Sequence, residues 1–217
     1  KAGIEAALEK AKLTLSDMVR TVAAGYGCNM VDIAGETSTD LSCHAIGVHH
    51  LFPSVRTVID IGAQYSRAIR LHDEGRIANF IMNEKCAGGS GKFLQVAARI
   101  LRINVSDIGE LSLKAQKPVE FTTGCAVFAE SEAVSRISEG ASPADILAGI
   151  HNAMASKIVT LAVRVGLVPD YAVTGGGAMD IGLVKAIAAE LGTNVIVPEI
   201  PQITAALGAA LLAKERV

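Results

Sequence analysis

Two of the four cysteines, Cys86 and Cys125, each stand just before a predicted helix, 39 positions apart. A helix N-terminus stabilises a thiolate, and any anionic metal–sulfur cluster that the thiolate holds, through the helix dipole and free N–H groups. Two cysteines cannot complete a four-thiolate iron–sulfur site within one chain, but two chains related by a two-fold axis can. The pattern thus predicts a dimer sharing one cluster. Spacing alone favours inert cysteines, and a zinc-stabilised dimer is a further hypothesis.

An acidic residue, Asp60, lies at the end of a strand predicted over 57–62. A carboxylate on a buried strand is costly unless a cation or hydrogen bonds satisfy it. The neighbouring Gly62 leaves the backbone bare for a phosphate. This suits a carboxylate that holds Mg²⁺ through water or orients an attacking water molecule. The alternative is an aspartate that caps a turn.

A second nucleotide-binding candidate is the run Gly175, Gly176 and Gly177, which joins a predicted strand to a predicted helix. Bare backbone and helix N–H groups in such a turn can approach a nucleotide. The run is neither a dinucleotide fingerprint nor a P-loop, whose lysine it lacks. Because glycine-rich strand–turn–helix junctions are common, the signal is weak by itself.

Composition limits the classes of protein that this chain can belong to. The 217 residues are 50% hydrophobic and 19% charged, with a formal net charge of −2. This apolar content excludes disorder, and the near-zero charge argues against a nucleic-acid partner. The four cysteines lack the spacing of a disulfide scaffold or zinc ribbon, which predicts a cytoplasmic protein. No apolar run is expected to approach the ~18 residues of a membrane span, so no membrane association is predicted.

Hydrophobic periodicity predicts the elements that position these residues. Helices are expected over 3–13, 39–51, 92–101, 105–114, 126–139, 143–165 and 204–214, and from the glycine turn to about 191. Strands are expected over 21–24, 57–62, 66–71, 77–82, 171–174 and 194–197, with 118–122 extended.

Three consecutive strands followed by alternating helices and strands are typical of an α/β, ribonuclease-H-like fold, in which two related units hold a nucleotide between them. Residues 55–202 supply one such unit, and 1–54 supply only part of another, onto which the C-terminal helix in 203–217 is expected to pack. By analogy between the units, the first lacks roughly 30–40 residues at its start, and the native protein would have roughly 250–260.

The contexts of Cys86 and Cys125 resemble the activator family of 2-hydroxyacyl-CoA dehydratases, which includes the ATP-hydrolysing subunits of benzoyl-CoA reductase. The resemblance extends over essentially the whole chain, through 23–26, 41–44, 58–62, 148–151, 155–157, 174–176 and 205–210. It implies an actin-like ATPase fold and a homodimer with one interfacial 4Fe–4S cluster, ligated by Cys86 and Cys125 of each chain.

The resemblance also implies a function. Mg-ATP binding and hydrolysis would change the angle between the helices that begin at the cluster. One low-potential electron, supplied by a ferredoxin or flavodoxin, would pass to a CoA-ester dehydratase or reductase. The resemblance places Asp60, Gly62, Ala63 and Gln64 at the phosphates of ATP or ADP, and gives Asp60 and Gln64 catalytic roles. It places Gly175, Gly176 and Gly177 by the adenosine. Gly89 and Gly91 are expected to border the nucleotide.

The chain departs from the family pattern at its phosphate motifs. The first phosphate loop would lie in the segment expected to be missing, so poor ATP hydrolysis is expected without it. In the second motif, the family's Gly-Gly-Gln-Asp is here Gly62-Ala63-Gln64-Tyr65. Tyr65 removes a carboxylate, which predicts slow turnover if that carboxylate places Mg²⁺ or water. Two alternatives therefore stay open: a degenerate nucleotide-binding assembly subunit without turnover, and a small-molecule kinase of the same superfamily.

Structural roles are expected for the other polar and cysteine residues of interest. A metal shared by the adjacent histidines His49 and His50 is not expected, because on a helix their side chains point about 100° apart. Glu130 and Glu132 lie in the first turns of a predicted helix, where the helix dipole favours acidic residues. The alternative is a role in binding the nucleotide or the cluster. These residues are His49, His50, His151, Glu130, Glu132, Cys28 and Cys43.

Overall fold

The computed structural model describes residues 2–121 and 125–215. Its α-helices are α1 (Ala2–Ala11), α2 (Asp40–Leu51), α3 (Gly91–Leu101), α4 (Ile108–Ser112), α5 (Ala126–Ser138), α6 (Pro143–Val163), α7 (Ile181–Leu191) and α8 (Thr204–Glu215). Its strands are β1 (Val22–Ala24), β2 (Glu36–Ser38), β3 (Thr57–Ile61), β4 (Ser66–Leu71), β5 (Ile77–Asn83) and β6 (Tyr171–Thr174).

The described strands form two sheets. The larger has the order β5-β4-β3-β6, in which β3, β4 and β5 form an antiparallel meander and β6 runs parallel to β3. In the smaller sheet, β1 and β2 are parallel. The meander predicted over 57–82 is confirmed, and so is the strand that leads into the glycine turn.

The larger sheet is covered on both faces, and the alternation of side chains along β3 decides what lies on each. Ile59 and Ile61 belong to the main core, which α3, α5, α6 and α7 also build. Val58 belongs to a second core, shared with α2. Asp60 therefore points to the α2 face. On β4 the same alternation puts Arg67 on the α2 face and Ser66 on the face of α6.

Two expectations about strands are wrong. Segment 194–197 makes only a single bridge, between Ile196 and Ala172. The chain then runs into Pro198, which has no N–H to continue a ladder. The second error is β2, a polar segment that was not predicted because its strand conformation depends on pairing with β1.

The helix boundaries also differ in places. The helix expected over 105–114 splits into a 3₁₀ turn, Val105–Asp107, and α4. After the glycine turn, the helix begins only at Ile181, because the carboxylate of Asp180 accepts a hydrogen bond from Leu183 N (3.0 Å) and caps α7. Residues 118–121 belong to no strand, and Thr122 lies outside the described residues.

Helices α2 and α8 cross at very close range. A Cβ on Gly47 would collide with the carbonyl oxygen of Thr204, and one on Gly208 with that of Cys43. Glycine at both positions lets the two backbones touch. The C-terminal helix thus packs on α2 and on β1, while the division into units 1–54 and 55–202 stays a prediction.

One helix corrects the expectation about apolar runs. Among the described residues, α6 is long and apolar enough to cross a membrane by length and composition, with a mean hydropathy of 1.5. Core helices of soluble proteins pass the same test, and 56% of this segment is buried inside the fold. The apolar composition of α6 is accounted for by its place in the main core.

Candidate functional site

A buried ion pair joins the two central strands. Asp60 on β3 is 1% exposed, and Arg67, directly opposite it on β4, is 3% exposed. Arg67 Nε donates a hydrogen bond to Asp60 Oδ2 over 2.8 Å. The sequence required a cation or hydrogen bonds for Asp60, but the role of Arg67 was missed. The tight connection between the strands was the available signal, since pairing Ile61 with Ser66 places Asp60 opposite Arg67.

Helix α2 completes this network. Arg67 Nη2 donates to Asp40 Oδ2 over 2.5 Å. His44 Nε2 lies 3.6 Å from Asp60 Oδ2 and 3.8 Å from Asp40 Oδ1, while its Nδ1 is 3.0 Å from Thr204 Oγ1. We call Asp40, His44, Asp60 and Arg67 the phosphate-strand cluster. It ties β3 and β4 to α2, and through Thr204 to α8.

The electrostatics of the phosphate-strand cluster are internally compensated. Burial lowers the pKa of His44, although the carboxylates of Asp60 and Asp40 oppose this. Burial would lower the pKa of Arg67 too, but the same two carboxylates raise it overall. A neutral imidazole, one guanidinium and two carboxylates therefore share the site, and the guanidinium bridges the carboxylates.

Tyr65 covers the backbone expected to receive a phosphate. A Cβ on Gly62 would lie 2.7 Å from the Tyr65 ring, so the ring fills the space that glycine leaves. The ring also packs against the Arg67 guanidinium, 4.9 Å from its centroid. Burial, followed by the charge of Asp60, raises the pKa of the Tyr65 hydroxyl. Ala63 and Gln64 lie exposed at this turn.

The glycine turn after β6 lies against the same strand end. Gly175 has φ +79°, and a Cβ there would collide with Asp60 Oδ1 and the carbonyl of Ile61. A Cβ on Gly177 would strike the Ile61 side chain, whereas Gly176 faces open space. Thr174 Oγ1 donates to Asp60 Oδ1 over a long 3.4 Å. The structure thus brings together the two predicted nucleotide motifs.

The N-terminus of α3 is bonded directly to the Gly62 turn. Gly91 N donates to Gly62 O (2.9 Å), and Lys92 N donates to Ala63 O (2.8 Å). These are N–H groups that have no partner within their own helix. A Cβ on Gly91 would lie 3.3 Å from Ala63 Cα and from Gly62 O. The predicted phosphate turn is thus in contact with the helix that follows Cys86.

Cys86 is half-buried on the face of the larger sheet that lies opposite to the phosphate-strand cluster. Asn83 receives the Cys86 N–H on its Oδ1 (3.2 Å) and donates from Nδ2 to the Cys86 carbonyl (2.9 Å). A 3₁₀ turn, Ala87–Gly89, separates Cys86 from α3, and Gly89 packs beside Ser66. Lys157 on α6 donates from Nζ to Cys86 Sγ over 3.7 Å. Cys86 therefore precedes α3 by a short turn rather than capping it.

Cys125 is the N-cap residue of α5. Hydrogen bonding from the backbone N–H groups of Phe128 and Val127, together with the charge of Lys157, lowers the pKa of its thiol. This is the thiolate stabilisation expected at a helix N-terminus. Residues 122–124 of the predicted motif lie outside the described residues.

The donor set fits half of a four-thiolate site. Within 2–121 and 125–215, no group of three or more His, Cys, Asp or Glu side chains could hold a metal ion. Of the four free cysteines, the two in the predicted motifs are Cys125, with a lowered thiol pKa, and Cys86, whose sulfur accepts a hydrogen bond from Lys157. An anionic cluster completed by a second chain is compatible with that chemistry.

Most of the other polar candidates have structural partners, although His49 Nδ1 is buried without a hydrogen-bond partner among the described residues. His151 is 1% exposed and lies between Ser112 Oγ (3.0 Å) and Asp180 Oδ2 (3.1 Å), which makes it a core residue. Glu130 pairs with Arg99 across α5 and α3 (3.2 Å), and Glu132 lies 3.7 Å from Arg136. Cys43 is fully buried and Cys28 half-buried.

Comparison with known sequences gives a consistent result. A model of the BadF/BadG/BcrA/BcrD ATPase family matches residues 1–213. The 2-hydroxyisocaproyl-CoA dehydratase activator of Clostridioides difficile is 44% identical over 94% of this chain and 77% of its own length. The (R)-2-hydroxyglutaryl-CoA dehydratase activating ATPase of Acidaminococcus fermentans is 44% identical over 98% and 82%. A benzoyl-CoA reductase subunit of Thauera aromatica is 38% identical over 83% and 64%.

Solved structures agree. The activator of 2-hydroxyisocaproyl-CoA dehydratase with bound ADPNP matches with a TM-score of 0.95 at 43% identity, covering 98% of this chain and 80% of that one. MreB 5 of Spiroplasma citri bound to AMPPNP matches with a TM-score of 0.56 at 15% identity over 98% and 75%, which shows the fold alone. The expected ribonuclease-H-like, actin-like fold is confirmed.

Proposed function

The chain belongs to the BadF/BadG/BcrA/BcrD ATPase family, and on that premise we propose that it is an ATP-driven, low-potential one-electron donor. The proposed acceptor is a 2-hydroxyacyl-CoA dehydratase or a benzoyl-CoA reductase, the two classes with which its relatives are named. In this proposal the protein is a cytoplasmic homodimer carrying one 4Fe–4S cluster, with a low-potential ferredoxin or flavodoxin as the electron source.

The observation that carries the proposal is the bonding of α3 to the Gly62 turn. Gly91 and Lys92 donate to the carbonyls of Gly62 and Ala63, so a shift of this turn pulls on the N-terminus of α3. Cys86 lies just before that helix, and α3 is paired with α5, which follows Cys125, through the Arg99–Glu130 contact. Phosphates bound at the turn would thereby bias the arrangement of both cysteine-bearing segments.

In the nucleotide site, we assign Asp60, Gly62, Ala63 and Gln64 to the β- and γ-phosphates of Mg-ATP. Asp60 Oδ2 is held by Arg67, but among the described residues Oδ1 has only the long hydrogen bond from Thr174. Oδ1 is therefore the atom that can accept a hydrogen bond from a water molecule of Mg²⁺ or from the attacking water. We assign the exposed Gln64 to orienting that water.

The adenosine is assigned to the glycine turn. Gly175, Gly176 and Gly177 lie at the end of β6 beside Asp60, with open space at Gly176. Gly91 borders the other side of the phosphate turn through its contact with Ala63, whereas Gly89, also predicted to border the nucleotide, lies beside Ser66 and lines the cavity at Cys86. A relative of this chain, solved with ADPNP bound, supports a nucleotide in this fold.

Cys86 and Cys125 are the proposed cluster ligands, two from each chain of the dimer. The cluster, when bound, supplies a one-electron carrier of low potential. The chain's own part is to present one thiol at a helix N-terminus and one beside an ammonium, and to move both when the phosphate turn moves.

A second function is favoured by one observation. Because the Tyr65 ring fills the space beside Gly62, phosphates can approach that backbone only after the ring turns away. A nucleotide-binding assembly subunit without turnover would tolerate such a cover. Slow ATP hydrolysis and a normal cluster would be compatible with the first function, whereas absence of both would favour the second.

The decisive experiment is anaerobic purification of the homodimer with iron analysis, EPR and ATPase measurement. About four iron atoms per dimer and an EPR signal on reduction are expected. Cys86→Ser and Cys125→Ser are each expected to lose the iron, while the control Cys28→Ser keeps it. A colourless wild-type protein, or one that holds zinc instead, would contradict the proposed function.

A further inference from the structure

A cavity of about 260 Å³ lies beside Cys86, on the face of the sheet away from the phosphate-strand cluster. Asn83, Cys86, Lys157, Thr160 and Arg164 are among the described residues that line it, and no lining residue among them is acidic. We call this the cysteine cavity. It brings two cationic side chains to one predicted ligand thiol, a composition that suits an anion.

Lys157 is the cation with the closest relation to both predicted ligands. It is half-buried on α6, a helix whose neighbouring positions, such as Ile158, belong to the main core. Its Nζ donates to Cys86 Sγ over 3.7 Å, and its charge also acts on the thiol of Cys125. The residue is 71 positions from Cys86 in the sequence, so only the fold brings them together.

A positive charge at this place has a definite electrostatic consequence. Two unit charges a few ångströms apart in a partly buried site interact much more strongly than in water. A hydrogen bond to a ligand sulfur and a nearby cation both stabilise the more negative, reduced state of a metal–sulfur group, since the potential depends on net charge and on hydrogen bonds to the sulfurs.

We propose that Lys157 is a positioning residue for the metal–sulfur group. Its ammonium fixes the Cys86 sulfur by a hydrogen bond and places a positive charge beside the ligands, so that the group is retained and is reduced more easily. This inference rests on the proposed function, because it presupposes a cluster between the cysteines. It assigns to Lys157 no proton transfer, and the electron arrives from the low-potential carrier.

The test compares wild type with Lys157→Met, which keeps the length and apolar stem but removes the charge. Each protein is reconstituted anaerobically as the homodimer, without nucleotide, and is titrated redox-potentiometrically with EPR detection. We expect the ratio of reduced to oxidised Lys157→Met at a fixed potential to fall at least about tenfold, equal to about 59 mV for one electron. Loss of iron to a chelator should also be several-fold faster.

Three further variants keep this test decisive. Lys157→Gln is measured in parallel, so that the result does not depend on the folding of one neutral variant. Lys157→Arg keeps the charge, and its reduction potential is expected to stay closer to that of wild type than the potential of Lys157→Met or Lys157→Gln. Lys185→Met, on α7 and outside the cysteine cavity, is the matched control and should match wild type.

Three outcomes would overturn the inference, and they are distinguishable. If wild type holds its cluster and the neutral variants have the wild-type potential and iron retention, Lys157 has no such role while the proposed function stands. If wild type takes up no cluster, both fall together. A lowered unfolding temperature with an unchanged potential would mark Lys157 as merely structural.

Discussion

The two faces of the central sheet hold charged groups in opposite conditions. On the α2 face, Asp60 and Asp40 share the guanidinium of Arg67, and the network is closed within the chain. On the α6 face, the described lining of the cysteine cavity contains cations and a thiol but no carboxylate. The charges of the α2 face are balanced within the chain, although Asp60 is also proposed to serve the nucleotide site, whereas a cavity lined by cations and a thiol suits an anionic group from outside. The sheet thus separates a charge network that is closed within the chain from a cavity that suits an added anion.

The largest loss of stability is expected from breaking the ion pairs of the phosphate-strand cluster. Arg67→Met removes the only guanidinium of the phosphate-strand cluster and leaves two carboxylates facing each other, one of them 1% exposed. Removing one partner of a buried ion pair costs about 3–5 kcal/mol in the free energy of unfolding. Urea unfolding of the apoprotein at pH 7.5 measures this loss.

The matched control for Arg67→Met is Arg99→Met, which breaks the surface pair with Glu130. The Arg99 side chain is 69% exposed, so the free energy of unfolding should change by no more than about 1 kcal/mol. Equal losses in the two variants would contradict the distinction between a closed structural network and solvated surface charge.

A smaller effect is expected from uncovering Gly62. Tyr65→Ser removes the ring that fills the space beside this glycine without adding a charge. If the ring must be displaced for phosphates to bind, the variant has a larger fraction of molecules in which Gly62 is already accessible to the nucleotide. The dissociation constant for Mg-ADPNP should then fall about tenfold, corresponding to about 1.4 kcal/mol.

Calorimetric titration of the Tyr65→Ser dimer measures this change, and Tyr26→Ser is its control. Tyr26 is 83% exposed, and its ring centroid lies 6.3 Å from that of Tyr65. Its loss leaves the cover on Gly62 in place and should alter affinity less than twofold. An unchanged affinity in Tyr65→Ser would show that the ring does not obstruct the phosphates.

Hydrophobic periodicity was sufficient to predict the meander and most of the helices. Patterns of apolar residues report the faces that are buried, and β3 and α6 are strongly patterned. It failed at β2, where Glu36, Thr37 and Ser38 form a strand only because β1 offers a parallel partner. Such pairing depends on tertiary context and leaves no local signal.

The candidate site was predictable only in part, for a related reason. The rule that a buried carboxylate needs a cation is local, and it applied to Asp60. The packing of Tyr65 on Gly62 depends on side-chain rotamers, and the approach of Lys157 to Cys86 depends on the docking of α6 against the meander. Residue types alone specify the chemistry available, whereas the fold decides which residues share it.

A pH-dependent effect tests the neutral imidazole within the closed network. Because burial lowers the pKa of His44, the unfolded chain binds a proton here at a higher pH than the folded chain does. The free energy of unfolding should therefore decrease as the pH falls below about 6.5, by up to about 1.4 kcal/mol per unit for this one group. Above that pH, His44 is neutral in both states and contributes no slope.

The measurement is urea unfolding at pH 7.5 and 5.5 for wild type and for His44→Gln. The other histidines are present in both proteins, so the difference between the two pH dependences isolates His44. Wild type should lose about 1 kcal/mol more than the variant. Identical slopes would show that the pKa of His44 is the same in the folded and unfolded chains, and a gain in the stability of wild type relative to the variant at pH 5.5 would show that Asp60 and Asp40 hold His44 charged.

The smallest change in the free energy of unfolding is expected for a substitution in the cysteine cavity. This result tests the difference between the two faces of the sheet most directly. In the apoprotein, Cys86 is half-buried and its side chain has a long contact with Lys157. Cys86→Ser should therefore change the free energy of unfolding of the apo chain by no more than about 0.5 kcal/mol, although the same variant is expected to lose the iron. Urea unfolding in the presence of a chelator and a reductant measures it. A loss as large as that of Arg67→Met would mean that the cysteine cavity is part of the fold's own packing, and the contrast between the two faces of the sheet would disappear.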